Sequence, residues 1–157
     1  MIRYLVMDVD GTLTDGKIYM GENGELCKAF DIKDGCGITM ILIPAGITPV
    51  IITGRSSKIL ENRCKELGIT QLHQGISDKV ACLNALLGES PDYSKVAYIG
   101  DDINDLPCMQ LIKGNGGLIG CPADAVEEVK EWAEFISTRN GGNGAVREFI
   151  EWLCCKA

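Results

Sequence analysis

The sequence is short of histidine, of basic charge and of long apolar runs, and each shortage removes a class of function. A single histidine, His73, and eight cysteines with no Cys-x-x-Cys pair leave no ligand set for a structural zinc ion. Lys and Arg number 15 against 22 Asp and Glu, a formal net charge of −7, so the chain lacks the basic face that a nucleic-acid backbone or an anionic membrane demands. No apolar stretch approaches the roughly 18 residues of a membrane span, and two aspartates interrupt the first apolar run before a secretory segment could form. No internal repeat or low-complexity segment is present. The expectation is a cytoplasmic, soluble chain whose cysteines are reduced and behave as small hydrophobes. At 157 residues and 46% apolar content it suffices for one domain, 1–157, with a proper core.

What the sequence does have is a first apolar run, Tyr4-Leu5-Val6-Met7, that stops in Asp8-Val9-Asp10-Gly11-Thr12. The run reads as a buried strand, and a carboxylate pair at the carboxyl end of such a strand is costly unless it binds something. Gly11 allows the backbone to bend close to a ligand. A β-hairpin flap follows, about 17–30, with its turn expected at Asn23-Gly24. Asp34 is expected to cap a helix that Pro44 and Gly46 stop. Thr48 to Thr53 is the next strand, and Ser56 or Ser57 caps a helix ended by Gly68. A short strand to His73, a helix carrying Lys79 in its first turn, and a strand to Ile99 before Gly100-Asp101-Asp102-Ile103-Asn104-Asp105 continue the alternation. Strand Gly116–Gly120, an edge pair Phe135-Ile136 and an amphipathic helix from Ala145 complete it. Alternating strands and helices predict an α/β fold: one doubly wound, mostly parallel, Rossmann-like sheet with its sites at the strands' carboxyl ends.

Taken singly, a threonine ending a strand, a lysine opening a helix and an acidic turn are bland. In this order, behind Asp8 and Asp10, they fit phosphoryl transfer. Asp8 suits a nucleophile that forms an aspartyl-phosphate, and Asp10 an acid that protonates the leaving oxygen and later deprotonates water. An all-oxygen site of Asp8, the Asp10 carbonyl and Asp101 suits Mg²⁺. Lys79 and the Thr53 hydroxyl would steady the phosphoryl oxygens, with Asp102 and Asp105 behind them orienting water and Lys79.

These four segments resemble the motifs of the haloacid dehalogenase (HAD) superfamily of phosphatases. Asp15-Gly16, Phe30-Asp31-x-Lys33-Asp34-Gly35-x-Gly37, Thr53-Gly54-Arg55 and Gly141-Gly142-x-Gly144-Ala145-x-Arg147-Glu148 resemble one branch, the 3-deoxy-D-manno-octulosonate 8-phosphate phosphatases and their nonulosonate 9-phosphate relatives. The gaps between motifs leave no room for a cap domain. The resemblance implies a homotetramer in which hairpins associate and a neighbouring subunit completes each open site. A sugar-acid substrate carries a carboxylate that wants an arginine fork, and Arg55 and Arg63 are the candidates, Arg63 acting on a neighbour's substrate. Gly11, Gly54 and Lys33 are further substrate-side candidates, Lys33 a weaker one alongside Arg147. Nonulosonate-specific relatives tend to carry Glu at the position of Arg55, which tilts the expectation to the eight-carbon acid. The alternatives are a nine-carbon specificity or a phosphatase-like module that only assembles subunits. A receiver-type signalling domain fits poorly, because Thr53 stands where its acceptor aspartate belongs.

Overall fold

A computed structural model of the chain describes residues 1–156. Six strands form one parallel sheet in the order β5-β4-β1-β6-β7-β8. They are β1 Tyr4–Met7, β4 Thr48–Ile52, β5 Gln71–His73, β6 Val96–Ile99, β7 Leu118–Cys121 and β8 Phe135–Ile136. The remaining two, β2 Tyr19–Gly21 and β3 Gly24–Cys27, make the expected hairpin as a separate antiparallel pair. Its turn falls at Glu22-Asn23, one residue earlier than the Asn-Gly signal suggested, because Gly21 pairs with Gly24.

Strand alternation sorts the apolar side chains onto two faces. Leu5, Met7, Ile51, Ala97 and Ile99 face the layer made by α1 Ile32–Gly37, α2 Lys58–Leu67 and α6 Ala145–Cys155. Val6, Val50, Ile52, Val96, Tyr98 and Ile119 face α3 Lys79–Leu87, α4 Leu106–Gly114 and the short α5 Glu127–Lys130. The edge strand is anchored by aromatic packing, with Phe135 5.5 Å from Phe149 and 5.3 Å from Trp152 between ring centroids. Between β1 and β4 stand only the hairpin, α1 and a π-helical turn at Ile38–Leu42 that continues α1, so the carboxyl edge of the sheet is left without a cap domain.

One cap differs from expectation, and for a long-range reason. The N-cap of α1 is Asp31, whose carboxylate accepts from the Lys33 amide. Asp34 instead reaches across to α6, where its Oδ1 accepts from the Arg147 amide at 2.9 Å. The residue at the start of α6 is Gly144, which has no side chain to cap it, so a neighbouring helix supplies the acceptor. Burial pushes the Asp34 carboxyl up to about 6 from an ordinary 3.8, against the lowering effect of the Arg147 amide. A carboxyl whose folded value is raised favours the fold below its unfolded value and loses that contribution as pH rises through about 6. Asp34→Asn keeps an amide-accepting oxygen and removes the charge. Its stability relative to the parent should therefore increase by on the order of 2–3 kcal/mol between pH 4 and pH 7.5, read from paired denaturation curves. A pH-independent difference would show that the carboxyl is not strained by burial.

Candidate active site

The sheet register sets the site. Met7 lies level with Ile51 on one side and Ile99 on the other, so the next residue on each strand brings Asp8, Ile52 and Gly100 to one edge, with Val9-Asp10, Thr53 and Asp101 just beyond. The Asp8 amide donates to the Ile99 carbonyl, and the turn closes as the amides of Thr12, Leu13 and Thr14 all converge on the Val9 carbonyl. Among the described residues the Asp10 carbonyl receives no backbone donor. Thr53 is buried and its backbone is fixed between His73 and Ile76.

At the centre is a buried ammonium between two carboxylates. Lys79 Nζ donates to Asp8 Oδ1 at 2.9 Å and to Asp105 Oδ1 at 2.7 Å, and all three residues are at most 6% exposed. Asp78 caps α3 by accepting from the Ala81 amide, which fixes the helix turn that presents Lys79. Asp105 is fully committed: its Oδ1 also accepts from the Tyr98 hydroxyl at 2.7 Å, and its Oδ2 accepts from the amides of Asp101 and Asp102. It orients Lys79 and the 101–105 turn and has little left to offer a ligand.

Asp101 is the third acid. Its Oδ1 accepts from the Thr12 hydroxyl at 2.8 Å, and a Cβ at Gly11 would overlap its carboxylate, so glycine, with φ of +96°, is required there. One oxygen from each of Asp8, Asp101 and Asp105 lies within 4.8 Å of the others, with Lys79 as the one ammonium among them. Burial and then the Asp105 charge push Asp8 up to about 6 despite Lys79. Burial, with added repulsion from Asp8 and Asp105, pushes Asp101 up to about 7 against the Thr12 hydrogen bond. A hard divalent cation would hold both ionised, and the oxygen-only donor set of Asp8, Asp101 and the free Asp10 carbonyl fits one.

The structure separates the remaining expected residues. Asp10 is half-buried, with Arg55 Nε 3.9 Å from its Oδ2, so Arg55 lies at the mouth of the site; Gly54 is exposed beside it. Asp102 is exposed and its carboxylate turns to the Ile103 amide. Arg63 stands elsewhere in its own subunit, its guanidinium over the Phe30 ring and its Nη1 on Glu66 at 2.8 Å. Lys33 borders a different hollow of about 350 Å³ shared with Arg139 and Arg147.

Several participants escape sequence reading. Tyr98 is wholly buried, and its place mid-strand makes it look like plain core. A buried tyrosine needs a partner for its hydroxyl, and that was the available signal. Gly141 and Gly142, read from the sequence as part of a branch motif and not as neighbours of the site, form a shelf under the Asp8 turn, the Gly142 amide donating to the Thr12 carbonyl, where any side chain on Gly141 would strike Gly11. Lys28, just past β3, donates to Asp10 Oδ1 at 2.6 Å; nothing in a hairpin sequence announces that contact.

No family model matches the chain. It is 45% identical over 155 residues to the 3-deoxy-D-manno-octulosonate 8-phosphate phosphatase KdsC of Escherichia coli strain K12, covering 97% of this chain and 79% of that protein. The crystal structure of the 3-deoxy-D-manno-octulosonate 8-phosphate phosphatase from Moraxella catarrhalis, in complex with a magnesium ion, a phosphate ion and a KDO molecule, superposes with a TM-score of 0.87. It is 40% identical and the match covers 99% of this chain and 86% of that one. The cobalt-bound deoxy-D-mannose-octulosonate 8-phosphate phosphatase from Haemophilus influenzae gives a TM-score of 0.88 at 36% identity, over 97% of this chain and 86% of that one.

Proposed function

We propose, from the premise that the chain belongs to the 3-deoxy-D-manno-octulosonate 8-phosphate phosphatase family of the HAD superfamily, that it is a Mg²⁺-dependent phosphatase of that sugar-acid phosphate. The observation that carries the reading is Asp8 itself, a buried carboxylate at the end of β1, held by Lys79 at 2.9 Å and facing Asp101 across a cluster short of positive charge.

Asp8 attacks phosphorus, forming a carboxylate–phosphorus bond as the bond to the sugar oxygen breaks. The sugar oxygen takes a proton from Asp10. Asp10, now a carboxylate, accepts a proton from water as the water oxygen attacks phosphorus and frees Asp8 and inorganic phosphate. Lys79 balances Asp8 and the transferred group, Thr53 donates a hydrogen bond to a phosphoryl oxygen, and Asp105 and Tyr98 keep Lys79 in place. Mg²⁺ held by Asp8, Asp101 and the Asp10 carbonyl would supply charge neutralisation between the nucleophile and the anionic substrate.

Arg55, partly exposed beside Asp10, is positioned to receive the substrate carboxylate. The open carboxyl edge and the hairpin's exposed Met20 and Leu26 support a homotetramer whose neighbour closes the site, with Arg63 and Lys33 serving such a shared pocket. Among the described residues, no helix is long and apolar enough to cross a membrane. We place the chain in the cytoplasm as one domain.

The test is phosphate release with Mg²⁺ from octulosonate 8-phosphate, nonulosonate 9-phosphates and simple sugar phosphates. The first should be preferred by about tenfold or more, EDTA should abolish release, and Arg55→Glu should narrow or reverse the preference. Preference for a nine-carbon acid would keep the chemistry and overturn the substrate. No release from any, with or without EDTA, would leave an assembly module.

A further inference from the structure

The hairpin carries a second buried ammonium. Lys28 lies just past β3, its side chain only 4% exposed, and its Nζ is held by Asp10 Oδ1 at 2.6 Å and Glu25 Oε1 at 2.8 Å. Glu25 is itself tied down, because its Oε2 accepts from the Ser57 hydroxyl at 2.7 Å. Ser57 occupies the N-cap position of α2, where its hydroxyl would ordinarily serve its own helix. It has been diverted to the hairpin, while its amide donates to Gln74 Oε1. The chain thus spends a helix cap to fix Glu25, and Glu25 fixes Lys28 on the Asp10 carboxylate. Lys28 and Glu25 approach from the hairpin side, Arg55 from the loop after β4, its Nε 3.9 Å from Asp10 Oδ2 and its Nη2 4.0 Å from Glu25.

The two oxygens of Asp10 are therefore inequivalent. Oδ1 is occupied by a buried, doubly paired ammonium. Oδ2 meets only the partly exposed Arg55 at long range. We propose that Lys28 is a positioning residue for the proton-transferring Asp10: it anchors Oδ1 and leaves Oδ2 as the oxygen that exchanges the proton with the leaving group and then with water. The proposal rests on the reading of Asp10 as the acid and base of the reaction. A carboxylate free to rotate would present the proton at the wrong place for part of the time, and misplacement of a proton donor by about 1 Å costs rate without costing affinity. The hairpin is thereby part of the catalytic geometry, since the side chain that orients Asp10 arrives on it.

Leaving-group chemistry separates this role from a structural one. A sugar alkoxide needs a proton to depart; p-nitrophenolate does not. In single turnovers that read leaving-group release, before the aspartyl-phosphate step in which Asp10 serves either substrate as base, Lys28→Met and Lys28→Gln should each slow release of the sugar from octulosonate 8-phosphate by about 30- to 100-fold, with KM changed by no more than about threefold, and slow release of p-nitrophenolate from p-nitrophenyl phosphate by no more than about threefold. Lys28→Arg, which can still bind Oδ1, should recover most of the lost rate of sugar release. Asp10→Asn on the same two substrates is the reference for the acid itself. If Asp10→Asn spares p-nitrophenolate release and the Lys28 variants slow release of both leaving groups alike, or of neither, Lys28 does not position Asp10 and the proposal is wrong while the mechanism stands. If Asp10→Asn slows release of both leaving groups alike, Asp10 is not the leaving-group acid and the mechanism falls first, taking the proposal with it.

Discussion

Asp8→Asn should reduce phosphate release by on the order of 10⁴-fold or more while leaving the protein folded. The amide is almost isosteric, and its oxygen can still accept from Lys79, which also retains Asp105 at 2.7 Å. What is lost is the negative charge and the nucleophile. Replacing a carboxyl that burial and Asp105 have pushed up to about 6 with a neutral group should leave the thermal midpoint unchanged or slightly raised near neutral pH. The pairing of these two results matters more than either alone. Loss of activity with loss of fold would say only that the centre of the sheet edge had been disturbed. Retained fold with a rate within tenfold of the parent would remove Asp8 as the nucleophile.

Much of this site was legible because its parts are local signals repeated at the ends of strands. A carboxylate that terminates an apolar run, a threonine that terminates another and an acidic turn after a third can be read without coordinates, and parallel topology gathers strand ends on one edge. Lys79 was legible for a related reason, being the first residue of a helix that Asp78 caps. The residues that escaped do their work through contacts distant in the chain. Lys28 meets Asp10 only because the hairpin folds back, and Tyr98 is a strand residue like its neighbours until its hydroxyl is seen to reach Asp105. Asp34 and Ser57 show the same limit from the opposite direction. Asp34, in the first turn of α1, has a cap's residue type and Ser57 has a cap's position as well, and each side chain is taken by a partner elsewhere, the Arg147 amide in one case and Glu25 in the other. Capping propensity is worth only about 1 kcal/mol, so a charged or otherwise unsatisfied group nearby readily outbids it.

Lys79→Met should produce the other large effect, and in stability as well as rate. Burial alone would lower the pKa of this lysine, yet Asp105 and Asp8 together outweigh it and raise it, so the ammonium is charged and is what permits two carboxylates to share a buried site. Methionine fills the same space and leaves both acids unpaired. Breaking such a group by removing one partner costs about 3–5 kcal/mol, which for a chain of this length corresponds to a fall of roughly 10 °C in thermal midpoint. Addition of Asp105→Asn to Lys79→Met removes one of the stranded charges and should restore a substantial part of that stability, a coupling readable from a double-mutant cycle. Mg²⁺ should raise the midpoint of Lys79→Met by more than it raises that of the parent, because a cation near Asp8 and Asp101 relieves repulsion that Lys79 no longer offsets. Activity should follow neither repair: with no ammonium beside Asp8, turnover should stay down by about 10³-fold in the single and the double variant alike. If the double variant regains activity together with stability, Lys79 acts on the fold alone, and charge balance during phosphoryl transfer must come from elsewhere in the site.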